Sequence, residues 1–181
     1  MYKALKKSNA YLTLMLTLFT MNVTIRKIIQ SDNPEIERII KQVLTEHGVN
    51  KPGTAFYDSS LQQMFEFYSA PKSVYFIAEE NNRIVGGGGI FPTEGLPDDT
   101  CELVKMYLLP EMRGKGIGKL LIDASLEFAK QTGYKRVYLE TMKELAKAVT
   151  IYEKMGFTML SGPLGNTGHF ACTMRMIKQL N

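Results

Sequence analysis

Arg113-Gly114-Lys115-Gly116-Ile117-Gly118 stands between an apolar run, residues 103–109, and a segment in which Ile117, Leu120, Leu121, Ala124 and Phe128 recur at helical spacing. The glycines therefore fall at a strand-to-helix turn, just after Pro110. Two readings are open for such a turn. It is either a plain Gly-rich connection or an anion cradle, in which residues without a Cβ bring backbone N–H groups and the positive end of a helix dipole onto a phosphate. Arg113 and Lys115 add positive charge. A Walker A loop is excluded, because Arg113 precedes Gly118-Lys119 by five residues where Gly is required and Leu120 follows where a hydroxyl is required. A dinucleotide fingerprint is excluded too, since Lys119 and Leu121 take the places of its third glycine. The run Gly86 to Gly89 fails the same test at Phe91 and Pro92.

Outward from that turn the elements alternate. A strand over residues 23–29 precedes a turn at Ser31-Asp32-Asn33-Pro34, and Ile36, Ile39, Ile40, Val43 and Leu44 then form one helical stripe closed by Gly48. Leu61, Met64, Phe65 and Tyr68 mark a second helix ended by Pro71. Residues 74–79 and 84–91 read as a hairpin turning at Asn81-Asn82, followed by a strand over 101–109. Beyond the motif helix come a strand over 137–141, a helix over about 143–155, and strands over 157–160 and 170–177. No linker, repeat or low-complexity segment divides the chain.

Composition narrows the class. The 181 residues are 45% hydrophobic, enough for one layered core. The net charge of +4 does not argue for a nucleic-acid partner: three of the 22 basic residues are Lys3, Lys6 and Lys7, and the remainder exceed the 18 acidic residues by one. Residues 1–20, lysines followed by a short apolar run interrupted by Thr13 and Thr17, imitate a secretion signal without its cleavage site and are too short to span a bilayer. The reading is an N-terminal extension over 1–20, whether an upstream start, a packed helix or a targeting segment, ahead of one domain over 21–181. Cys101 and Cys172 are isolated in apolar runs, which fits a reduced cytoplasmic protein. His47 and His169 lack neighbouring ligands, so no metal is assigned.

The motif Arg113-x-x-Gly116-x-Gly118 together with Tyr138-Leu139-Glu140-Thr141 and Ile151-Tyr152-Glu153-Lys154-Met155-Gly156-Phe157 resembles the GCN5-related N-acetyltransferase (GNAT) family, most specifically over residues 100–160. The resemblance implies an α/β (α+β) fold: a mixed, mostly antiparallel sheet with one splayed parallel pair and helices on both faces. It implies acetyl-CoA as cosubstrate, with backbone groups of Met106, Tyr107 and Leu108 on the pantetheine and the amides of Arg113, Gly114, Lys115, Gly116, Ile117 and Gly118 on the pyrophosphate. The acceptor is then a primary amine of a small molecule, peptide or protein, acetylated directly in a ternary complex. Members of the family are often homodimers, and no membrane partner is implied.

The chemistry asks for a base and an acid. An amine of pKa about 10.4 is costly to deprotonate at pH 7, by roughly 4 to 5 kcal/mol, and the departing thiolate benefits from a neutral proton donor such as tyrosine. By the resemblance Glu140 and Tyr152 take these roles. Glu102, on the motif strand, is the alternative base. One departure stands out: Leu145 takes the position at which many members carry Asn. A CoA-binding module without turnover is accordingly the competing function. The Gly-rich stretch from Ser161 to His169 is either a cover for the substrate or a hairpin end. Residues 51–57 with Glu94, Asp98 and Asp99 are expected to flank the acceptor entrance.

Overall fold

Strand β1 (Val23–Lys27) leads through a 3₁₀ turn at Gln30–Asp32 into helix α1 (Asn33–Glu46), with Pro34 in its first turn. The stripe expected from spacing, Ile36, Ile39, Ile40, Val43 and Leu44, is wholly buried. The computed structural model describes residues 22–180, so the expected extension over 1–20 lies outside the described residues. Strands β2 (Val74–Glu80) and β3 (Arg83–Phe91) form the expected hairpin. Asn81 and Asn82 take φ of 51° and 63°, the positive values a type I′ turn demands. Strand β4 (Thr100–Leu108) and helix α3 (Ile117–Gln131) bracket the glycine motif; strand β5 (Arg136–Thr141), helix α4 (Ala146–Lys154) and strands β6 (Thr158–Met159) and β7 (Met174–Gln179) complete the chain.

Among the described residues seven strands form one sheet in the order β1-β2-β3-β4-β5-β7-β6. Every pairing is antiparallel except β4 with β5. Alternating side chains serve two layers. Tyr75, Ile77 and Val104 pack with α1, while Val74, Cys101, Leu103, Val137 and Leu139 face α3 and α4. Helices therefore cover both faces, and the fold is the mixed α/β sheet expected.

Two elements depart from the sequence expectation. The second helix is mostly a 3₁₀ segment, Ser59–Gln63, followed by the single α-turn α2 (Met64–Phe67). Leu61 and Met64 are three residues apart, the spacing that 3₁₀ winding superimposes, and both are buried. The last strand begins four residues later than expected. Residues 170–173 are drawn toward another loop instead: the Ala171 amide donates to the Gly53 carbonyl at 3.1 Å, and the Cys172 amide to that of His169 at 2.8 Å.

Candidate active site

The parallel pair β4–β5 is hydrogen-bonded only over Thr100, Cys101 and Glu102 against Arg136, Val137 and Tyr138. Beyond that point the strands part. A bulge in β4 accompanies the parting: Gly89 pairs with Val104 and Gly87 with Tyr107, so Lys105 and Met106 both oppose Gly88. Lys105 takes φ of 52°, and its carbonyl accepts a hydrogen bond from the Tyr75 hydroxyl at 2.9 Å. A Cβ on Gly88 would lie 1.8 Å from the Met106 sulfur, and one on Gly87 2.5 Å from the Tyr75 ring. The glycine run of β3 thus makes room for the bulge of β4. Four consecutive glycines in a strand pattern are the sequence signal of such a close approach.

At the far end of the gap, Gly114 and Gly116 take φ of 75° and 83°, and Gly116 is the N-cap of α3. The space where their Cβ atoms would sit is open. Conformation, not crowding within the protein, demands glycine here, and it leaves first-turn amides of a 15-residue helix accessible to an anion. The Arg113 side chain does not join that cradle. Its guanidinium binds the Glu46 carboxylate in a two-pronged contact of 2.7 and 2.8 Å and donates to the Leu108 carbonyl at 3.0 Å, bracing the loop against α1. Lys115 is exposed and Ile117 is buried as the first core residue of α3. The edge of β4 that carries Met106, Tyr107 and Leu108 has no partner in β5. An unpaired strand edge ending at an amide-lined turn fits an extended amide-bearing arm that leads into a pyrophosphate, which is the form of the pantetheine half of CoA.

On the α1 face of the sheet, near the parting, lies a cavity of about 300 Å³. A smaller one of about 40 Å³ between β4 and β5 shares with it Glu102, Val104, Lys105 and His169. Glu102 is buried, and its carboxyl accepts a 2.5 Å hydrogen bond from Thr93. Burial pushes its pKa up to about 7, against the opposing hydrogen bond from Thr93. Asp58 pairs with Lys105 and lies 3.1 Å from His169 Nε2. Burial works to raise the Asp58 pKa, but the His169 hydrogen bond and the Lys105 charge outweigh it and hold it below the ordinary value.

Glu140 also lines the small cavity, where its carboxylate accepts from the Tyr138 hydroxyl at 2.5 Å and the Thr167 hydroxyl at 2.8 Å, with Arg175 3.6 Å away. Tyr152 lies across β5 from it, in the core with Leu139, Val149 and Phe157, its ring edge-on to Phe157 at 5.8 Å. Burial raises its phenol to about 12, so it stays protonated through the neutral range. An ionised Tyr152 would oppose ionisation of Tyr107, whose own pKa burial drives far above the ordinary value. The structure thus brings Glu102 and Glu140 together and sets Tyr152 on the opposite side of β5. Of the three acids expected at the acceptor entrance, only Glu94 lines the large cavity. Asp99 is bound instead to Arg136 at 2.5 Å. Leu145 packs beside Met142 in the α1-side core. The joining of Asp58, Lys105 and His169 had no sequence signal, because 47 and 64 residues separate them.

The chain matches the acetyltransferase (GNAT) family model over residues 36–157. It is 42% identical over 156 residues to an uncharacterized N-acetyltransferase, YjgM, of Escherichia coli, covering 86% of this chain and 93% of that protein. Its fold resembles a GNAT-family acetyltransferase of Staphylococcus aureus, with a TM-score of 0.78 at 20% identity over 88% of this chain and 99% of that one. It also resembles yncA of Salmonella typhimurium, a structure with its cofactor acetyl-CoA, with a TM-score of 0.68 at 20% identity over 88% and 95% of the two chains. The fold and the parted strand pair define an acetyltransferase architecture. The chain belongs to the GNAT family.

Proposed function

We propose that this protein transfers the acetyl group of acetyl-CoA directly to a primary amine held in the cavity beside β4. The observation that carries the reading is the buried Glu102 carboxyl, which lines a cavity of small-molecule size at the point where β4 and β5 part. The neighbouring acetyl-CoA complex supports the same cosubstrate here.

Met106, Tyr107 and Leu108 would hold the pantetheine along the free edge of β4, and the amides of residues 113–118 the pyrophosphate. Acetyl-CoA bound there supplies an activated acetyl thioester. Glu102 accepts a proton from the incoming ammonium, and its raised pKa places the acid–base midpoint near neutral pH. The amine nitrogen then bonds to the acetyl carbon as the C–S bond breaks. Tyr152 gives a proton to the departing sulfur, and the acylated nitrogen gives up its remaining surplus proton to restore the phenol. The products are a neutral amide and a free thiol, and Glu102 passes its proton to water. Glu140, already accepting from Tyr138 and Thr167, positions the loop over residues 160–173 rather than collecting the proton.

Thermal unfolding with and without acetyl-CoA tests the cosubstrate. At one hundred times Kd a ligand of the folded state adds about 2.7 kcal/mol, or roughly 5 to 10 °C in a domain of this size. A shift followed by amine-dependent thiol release supports transfer. A shift without thiol release across an amine panel favours a binding module, and no shift removes the cosubstrate.

A further inference from the structure

We infer that the acceptor is a small primary amine with an aromatic or similarly flat apolar body and no carboxylate beside the nitrogen, seated with its nitrogen at Glu102 and its body against Phe91 and Phe67. This rests on the acetyl-transfer reading above and names its substrate class.

Phe91 and Glu102 are direct partners across the antiparallel β3–β4 pair, so their side chains rise from the same face of the sheet. The Phe91 ring stacks on Phe67 at 4.3 Å and 15°, and Tyr68 meets Phe91 edge-on at 5.7 Å. All three rings line the same cavity as Glu102. An apolar wall therefore begins beside the carboxyl, in the place where the carbon body of an amine must go. Its ring faces also suit a nearby ammonium.

Charge sets the second half of the preference. Lys105 is already neutralised by Asp58, and His169 Nε2 is turned to the same carboxylate. Glu94 and Glu102 add two further carboxyl groups to the lining. An ammonium is attracted into such a cavity, whereas a substrate carboxylate meets like charge and a lysine that has a partner.

Size and closure disfavour a peptide. The volume of about 300 Å³ is at the small end for ligand sites. The strap over residues 160–173 is tied across the cavity at three points: the Asn166 amide to the Glu94 carbonyl at 2.8 Å, Thr167 to Glu140 at 2.8 Å, and His169 to Asp58 at 3.1 Å. A polypeptide crossing the site has to break those ties.

The test measures thiol release by the full chain with saturating acetyl-CoA and 2-phenylethylamine, L-phenylalanine or a blocked lysine peptide. Phenylethylamine is expected to exceed both competitors in kcat/KM by at least about 10-fold. Phe67→Ala, a half-exposed position, is expected to raise its KM by about 10-fold with little change in kcat, the effect of losing part of an apolar wall. Phe91→Leu provides the same reading if Phe67→Ala does not fold. Preference for the peptide or for phenylalanine, or an unchanged KM in both variants, overturns the substrate class and leaves acetyl transfer standing. Absence of thiol release with every amine, despite a thermal shift with acetyl-CoA, overturns both.

Discussion

The two ends of the β4–β5 gap are built by different means. At one end, residues 113–118 present backbone amides, and what they require is local: two glycines at positive φ and a helix that starts on the next residue. At the other end, Glu102, Asp58, Lys105, His169, Phe91 and Phe67 come from five separate segments and meet only through the sheet and the strap. A site made of backbone geometry tolerates change in its side chains, since its groups are the same in every residue. A site made of side chains changes its preference when any one of them changes. The contrast suits an enzyme that keeps one cosubstrate while its acceptor varies.

Substitutions at each end should separate these modes. With the proposed base removed, Glu102→Gln is expected to lower kcat by about 10² to 10⁴ while the acetyl-CoA thermal shift persists, because Glu102 lies apart from the glycine turn over residues 113–118. A shift that vanished together with activity would merge the two ends. Wild-type kcat/KM should rise with pH through about 7 as Glu102 loses its proton, and the variant should lack that limb. The same carboxyl has a stability signature of the opposite sense. With its pKa raised in the folded state, the protein binds more protons folded than unfolded, so the contribution is full below the unfolded value near 4.5 and is lost as pH rises to about 7. Urea midpoints at pH 5 and 8 for the wild type and Glu102→Gln measure it.

Tyr152→Phe retains the ring packed on Phe157 and removes the hydroxyl. A fall in kcat of about 10- to 100-fold with an unchanged thermal midpoint supports the acid role; full activity would make Tyr152 a core residue alone. Gly116→Ala acts at the other end. Its φ of 83° costs an L-residue roughly 1 kcal/mol, and the Cβ enters the space facing the amides, so calorimetry should give CoA binding weaker by about 10-fold with the affinity for a saturating amine unaltered. Gly88→Ala is the mildest on chemistry and is read as stability. The new methyl meets Met106 at the bulge, and a loss of about 1 to 3 kcal/mol in urea unfolding is expected.

The legibility of the two ends differs in the same way. The glycine turn, the hairpin turn at Asn81-Asn82 and the buried stripe of α1 are each set by φ or by spacing within a few residues, and all three stand where the sequence puts them. The Gly-rich stretch from Ser161 to His169 spans nine residues in the sequence, yet the strap extends to 173, because a hydrogen bond from Ala171 to Gly53, a residue over one hundred positions away, competes with sheet pairing there. Glu140 and Tyr152 were legible by motif as a pair. Their placement on opposite sides of β5 was not, since a motif names residues without saying which face of a parted strand each one occupies.

Local chain chemistry by itself determined the order of elements, the helix-start turn suited to a phosphate and the kinship with acetyltransferases. Only the tertiary structure decided that Glu102, in the sequence the alternative to Glu140 as base, is buried with a pKa of about 7 beside an aromatic wall, and that Asp58 pairs with the charge of Lys105. The reason is physical: backbone conformation depends on neighbours along the chain, whereas desolvation and charge pairing depend on neighbours in space.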